Sequence, residues 1–250
     1  MFIDTHCHLF KEDYENIEEV INEMKDNIII VSGCSTSTNK EVIELVNKYP
    51  NVYGTIGLHP EEANNVKEED YEFIIENINN PKIVGIGEIG LDYYYVNDNK
   101  DLQKELFIKQ IEIAKEYNKT IVIHSRDSIS DTLDVLKKYS DMKIVMHCYS
   151  SSLEVAKELI KMNVKLGIGG VVTFKNGVKL KEVVESIPIE YLLLETDSPY
   201  LSPEPFRGKQ NRPYNCYYVA KEIAKIKNIS LDEVLKITTE NAISQFDLNI

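Results

Sequence analysis

Eight short apolar runs recur along this chain, and a stretch long enough for a helix follows each one. They are Met1–Thr5, Ile28–Gly33, Val52–Leu58, Ile83–Ile89, Thr120–His124, Lys143–His147, Val164–Gly169 and Tyr191–Glu195. Most are continuous rather than alternating, which is the pattern of parallel strands covered on both faces. Parallel neighbours need a crossover, usually helical. Amphipathic segments at Tyr14–Lys25, Asn39–Lys48, Glu68–Ile78, Lys100–Tyr117, Ile129–Lys138, Leu153–Met162, Val178–Ser186 and Tyr217–Lys227 supply one after each run, and Leu231–Gln245 adds another. Eight strands alternating with eight helices predict an α/β chain of the (β/α)8 TIM barrel class with an extra C-terminal helix, rather than an open doubly wound sheet. The 250 residues match the ordinary size of such a barrel, about 250. No repeat or linker interrupts them, so one domain over 1–250 is expected.

The five histidines then acquire a common address. His6, His8, His59, His124 and His147 all lie at or just past the end of an apolar run, and so do Glu88 and Asp197. Active sites of such barrels form where strands end and βα loops begin. His6 and His8 are two residues apart, hence on one face of a strand, and both Nε2 atoms can reach one ion. Joined by His124, His147 and Asp197 at equivalent strand ends, they point to a metal centre. Glu88 lies among glycines and apolar residues, where a carboxylate is costly unless paired or coordinating. It is read either as the partner of Arg126 or as a ligand bridging two ions. Asp197 is read as a ligand, with a helix N-cap as the alternative. Glu195 is read as a supporting residue.

His59 precedes Pro60, which holds it extended. It could donate to a substrate oxygen, act as a general acid or orient a carboxylate. Arg126 suits bidentate phosphate recognition, against a salt bridge with Asp92 or Asp127. Arg207, Lys209 and Arg212 crowd the loop after the eighth strand, where barrels often bind phosphate; a solvated charged face is the plainer reading.

Composition excludes several classes. The net charge is −13, against the broad basic surface that holds nucleic acid by counterion release. Any nucleic acid must therefore be gripped locally. No run approaches a membrane span of about 20 residues, and no signal-peptide pattern opens the chain. The four cysteines form no CxxC pair and read as free thiols of a cytoplasmic protein. Gly85–Gly90 matches GxGxxG by letters, but its charged Glu88 at a strand end weakens a dinucleotide reading. P-loop and GxSxG signatures are absent,.

Eight motifs carry a family resemblance: Ile3-Asp4-Thr5-His6-Cys7-His8-Leu9, Gly57-Leu58-His59-Pro60, Gly87-Glu88-Ile89-Gly90-Leu91-Asp92-Tyr93-Tyr94, Ile123-His124-Ser125-Arg126-Asp127, His147-Cys148-Tyr149-Ser150, Glu195-Thr196-Asp197-Ser198-Pro199-Tyr200-Leu201, Arg207-Gly208-Lys209-Gln210-Asn211 and Thr239-Glu240-Asn241. In this order they resemble the TatD family of metal-dependent deoxyribonucleases, a branch of the amidohydrolase-like metal barrels. Two departures are Tyr149-Ser150-Ser151, where the family usually has Phe-Ser-Gly, and Arg212 intervening before Pro213. The resemblance implies metal ligands at His6, His8, Glu88, His124, His147 and Asp197. His6, His8 and Asp197 would hold one divalent ion, His124 and His147 a second, and Glu88 both; Zn, Mg and Mn are the candidates. It implies hydrolysis of DNA phosphodiesters by hydroxide generated from water at the ions, on single-stranded ends in the 3′-to-5′ direction. Asp197, Glu88 and His59 would be catalytic, with His59, Arg126 and Arg207 contacting substrate, in a monomer. The competing expectation is an amide, ester or lactone hydrolase, aminoacyl-tRNA deacylation included.

Overall fold

The computed structural model describes residues 1–95 and 98–250. The eight runs become eight strands of one parallel sheet in chain order: β1 (Ile3–Cys7), β2 (Ile28–Ser32), β3 (Val52–Ile56), β4 (Ile83–Asp92), β5 (Thr120–Arg126), β6 (Ile144–Met146), β7 (Lys165–Ile168) and β8 (Leu192–Leu194). Between them run α1 (Ile17–Glu23), α2 (Thr36–Lys48), α3 (Glu68–Asn77), α4 (Lys100–Glu116), α5 (Ile129–Leu136), α6 (Leu153–Lys161) and α7 (Val178–Ser186); α8 (Cys216–Lys227) and α9 (Leu231–Phe246) follow β8. The fold is the (β/α)8 barrel with an extra C-terminal helix. Every residue of β1, β2, β3 and β4 is buried, as expected of parallel strands covered on both faces.

Strand lengths differ from the runs at the ends that matter. β6 and β8 are three-residue strands, so His147 and Glu195 fall beyond them. β4 and β5 overshoot the other way. They pair on through Gly90–His124 and Asp92–Arg126, which puts Glu88 and His124 inside strands. Hydrophobicity could not show this, because Asp92 and Arg126 are polar.

The chain divides into two compact units, Met1–Val31 with His147–Ile250, and Ser32–Met146. In the first, β1 pairs with β2, but the register shifts between Asp4 and Cys7. The C-terminal ends of β1 and β8 are laced together: Thr5 Oγ1 donates to the Leu194 carbonyl at 2.9 Å, and the Asp197 amide, beyond β8, to the His6 carbonyl at 3.0 Å. Gly167 of β7 has a packing reason, since a Cβ there would meet Glu195 Oε2 at 2.0 Å. In the second unit, the β4–β5 register shifts between Ile86 and Ile89. Gly90, at φ +145°, lets β4 resume pairing; a Cβ there would lie 2.0 Å from the His124 carbonyl oxygen. Register shifts kink a strand and re-aim side chains. One flanks His6 and the other flanks Glu88.

Candidate metal centre

Each unit carries its own cluster of imidazole and carboxylate. In the first, His6 lies in β1 within the register shift and His8 follows just past the strand's end. Asp197 stands three residues beyond β8 at φ +54°, a left-handed conformation that Asp tolerates better than most residues. Hydrogen bonds from the Asp197 amide to His6 and from the His8 amide to the Ser198 carbonyl, at 3.0 and 2.7 Å, fix one turn against the other.

The donor atoms then converge. His6 Nε2 and His8 Nε2 are 3.3 Å apart, and Asp197 Oδ1 lies 3.8 and 3.4 Å from them. Tetrahedral zinc with bonds of about 2.0–2.1 Å needs donor-to-donor edges of about 3.4 Å, so the triangle has the dimensions of a coordination face. His6 and His8 are nearly or fully buried. Burial would raise the Asp197 pKa, but the hydrogen bond from His8 and the charges of His147, His8 and His6 outweigh it and hold the carboxyl below its usual range. His147 stacks on His6, with centroids 4.0 Å apart. Its Nδ1 is 3.9 Å from Glu195 Oε1, which itself accepts the Cys148 amide at 2.6 Å. Glu195 thus stands beside the His147 ring, at a distance longer than a hydrogen bond to Nδ1.

Beneath this cluster, Asp4 is wholly buried. It accepts the Thr196 hydroxyl at 2.6 Å, the Thr196 amide at 3.0 Å and the His6 amide at 3.3 Å. Burial pushes its pKa up to about 7, against the lowering effect of those bonds.

In the second unit, His59, Glu88 and His124 group together. Glu88 Oε1 is 2.8 Å from His124 Nδ1 and 3.6 Å from His59 Nε2, and the Cys34 thiol donates to Oε2 at 3.5 Å. His59 Nδ1 accepts the Glu61 amide, which directs Nε2 to the carboxylate. His124 Nε2 is engaged by Asp92 Oδ2 at 2.9 Å, leaving Nδ1 as the nitrogen turned to Glu88. Burial would lower the His124 pKa, but hydrogen bonds to Asp92 and Glu88 hold it up at about 9. Burial opposes ionisation of Asp92 too, yet His124 and the Tyr95 and Tyr94 amides bring it down to about 2.

The arginines divide. Arg126 lies over the rings of Tyr94 and Tyr95, with its guanidinium carbon 3.9 and 4.6 Å from their centroids. No ion pair of Arg126 with Glu88, Asp92 or Asp127 occurs among the described residues. Arg207 covers the Phe174 ring at 4.2 Å. Arg212 is bound to Glu19 and Glu23 of α1, the plainer of its two expected roles.

Within the first unit the structure gathers His6, His8, His147 and Asp197, and within the second His59, Glu88 and His124. His59 was expected as a substrate or acid-base residue and stands among the possible ligands. Sequence reasoning passed over Asp92 and Cys34. Asp92 was present in a quoted motif and weighed only as an ion-pair partner; nothing around Cys34 distinguished it from the other thiols.

Comparison with known proteins bears on this chemistry. The family model described as TatD related DNase matches residues 3–247. The uncharacterized metal-dependent hydrolase YabD of Bacillus subtilis is 45% identical, with all of both chains covered. The uncharacterized metal-dependent hydrolase MJ1582 of Methanocaldococcus jannaschii is 39% identical over 98% of this chain and 96% of its own. Among solved structures, the TatD homolog YJJV of Escherichia coli superposes with a TM-score of 0.91 at 27% identity, covering 99% of this chain and 98% of that one.

Proposed function

The chain belongs to the TatD-related DNase family and is a metal-dependent hydrolase of that type; we propose that its substrate is DNA, cleaved at phosphodiester bonds from single-stranded 3′ ends. The observation that carries the metal reading is the His6–His8–Asp197 triangle, whose edges fit a coordination face. We propose two divalent ions, with Zn, Mn and Mg as candidates and His6, His8, Asp197, Glu88, His124 and His147 as ligands. Mixed imidazole and carboxylate donors suit Zn or Mn better than Mg. Such ions, when bound, lower the pKa of water and polarise a phosphoryl oxygen.

The chain's own groups have distinct tasks. Asp197 offers a carboxylate that is ionised at neutral pH, and it is assigned the proton that the attacking water gives up. Glu88 supplies a second buried carboxylate. Asp92 keeps His124 in a fixed orientation, so little reorganisation is needed there when charge develops. Exposed Arg126 is assigned the phosphate oxygens, to which it offers a forked cation, and His59 is assigned a substrate oxygen. Arg207, on the exposed loop after β8, is assigned a more distant phosphate contact.

The deciding assay strips the protein with chelator and restores Mg, Mn or Zn. Single-stranded oligonucleotides are then compared with a panel of esters and lactones. Metal-dependent shortening of the oligonucleotide from its 3′ end is expected. Brisk lactone or ester cleavage with DNA left intact would replace this reading by carbonyl hydrolysis.

A further inference from the structure

Two large aromatic side chains stand in water beside the second cluster. Tyr94 and Tyr95 keep 56% and 63% of their surface exposed. Exposed aromatic surface beside a site is a mark of recognition rather than of packing. Their rings meet edge to face, with centroids 4.9 Å apart at 86°, and the Arg126 guanidinium lies over both. The result is a small projecting surface of two π faces and one cation.

This surface is held firmly. The Tyr94 and Tyr95 amides donate to Asp92 Oδ1 at 2.9 and 3.1 Å, while Asp92 Oδ2 takes His124 Nε2. One carboxylate therefore fixes both the tyrosine turn and a candidate metal ligand. Tyr93, next in line, ties its hydroxyl to Asp131 of α5 at 2.7 Å. Arg126 is two residues beyond His124 on β5, on the same face and about 6.6 Å further along the strand. That separation is comparable with the distance from a phosphate to the base of its own nucleotide.

We propose that Tyr94, Tyr95 and Arg126 form a stacking platform for a base of single-stranded DNA, beside the phosphate that Glu88 and His124 serve. Aromatic faces accept any base and so bind without reading sequence, while Arg adds cation–π and phosphate attraction. A paired base is already stacked within its duplex, so the platform selects unpaired ends. It also answers the problem of charge. An acidic protein cannot hold DNA over a broad surface, but a platform of three residues grips one nucleotide. The inference rests on the DNA-cleaving reading, and the test keeps the two apart.

Short phosphorothioate-linked dT strands, which resist hydrolysis, are compared by fluorescence anisotropy with the same strands carrying abasic residues at the 3′ end. The full-length, metal-loaded protein is used. The wild type is expected to prefer the base-bearing strand about tenfold, within the usual contribution of base–aromatic stacking. The double variant Tyr94→Leu with Tyr95→Leu should bind both strands alike, whereas Tyr94→Phe with Tyr95→Phe should keep the preference. On ordinary strands, the Leu variant's loss should sit in KM. Should the Leu pair fail to fold, the two single Leu variants report separately. Equal binding of both strands by the wild type overturns the platform, and so does an undiminished preference in a folded Leu variant. Base preference without cleavage under any metal sustains the platform and removes the nuclease reading. Cleavage with equal KM for base-bearing and abasic ends does the reverse.

Discussion

At the scale of single residues, the second cluster turns on how one imidazole is shared. His124 gives Nε2 to Asp92 and Nδ1 to the Glu88 side, so Asp92 decides which nitrogen is available. His124→Ala is expected to retain its fold, measured by circular dichroism, while losing bound metal and hydrolysis. Asp92→Asn should keep the ring and disturb its orientation, weakening metal affinity about 10–100-fold in competition with a chelating dye. The residues most legible in the sequence were the scarce ones. Five histidines at strand ends stand out against a chain this long, and the structure sets each of them among possible metal ligands. Asp92 was far less legible. Aspartate is common, its site is set by hydrogen bonds to backbone amides and a distant ring, and no spacing rule encodes those. Asp4 was equally silent, because its partner Thr196 is 192 positions away.

At the scale of elements, the apolar runs located all eight strands but misjudged their ends. A run stops where polar residues begin, whereas a strand stops where its ladder does. β4 continues through Gly90 to Asp92 because β5 continues beside it. The register shifts around His6 and Glu88 had no sequence signal beyond the glycines of β4. Gly90→Ala tests that region. Its φ and the 2.0 Å approach to the His124 carbonyl predict a loss of about 2 kcal/mol or more, combining overpacking with backbone strain, measured by chemical denaturation. Metal affinity should fall with it, since the clash falls on the backbone of His124. Between α4 and α5, Lys104 pairs with Asp131 at 2.9 Å, and Lys104 and then Tyr93 depress the Asp131 pKa. A depressed carboxylate stabilises the fold above its ordinary pKa, and that contribution is lost as pH falls through the depressed value. Asp131→Asn should therefore cost less than about 1 kcal/mol at neutral pH, because the pair is partly exposed. The difference from wild type should vanish in strong acid, as denaturation across pH would show.

At the scale of the whole molecule, a net charge of −13 sets how the protein can meet DNA. Few phosphates can be neutralised, so the slope of log binding constant against log salt should be shallow. Two or three contacts on a single strand give about −1.4 to −2.1, and a slope several times steeper would indicate a basic surface that the composition does not offer. Metal should matter for stability as well as turnover. A cation that binds only the folded chain at 100 times its dissociation constant contributes about 2.7 kcal/mol. For a chain of this size that is about 5–10 °C in Tm, and chelator should remove it in a thermal melt. Among the described residues, no helix is long and apolar enough to cross a membrane.

The division of donors between two compact units has a further consequence. His6, His8 and Asp197 are assembled by contacts inside the first unit, and His59, Glu88 and His124 by contacts inside the second. Each trio owes its local shape to hydrogen bonds made within its own stretch of chain. Calorimetric titration of the stripped protein reads how many cations it takes up, and His124→Ala should lower that number. The free cation concentration around such a chain would act as a throttle on its output.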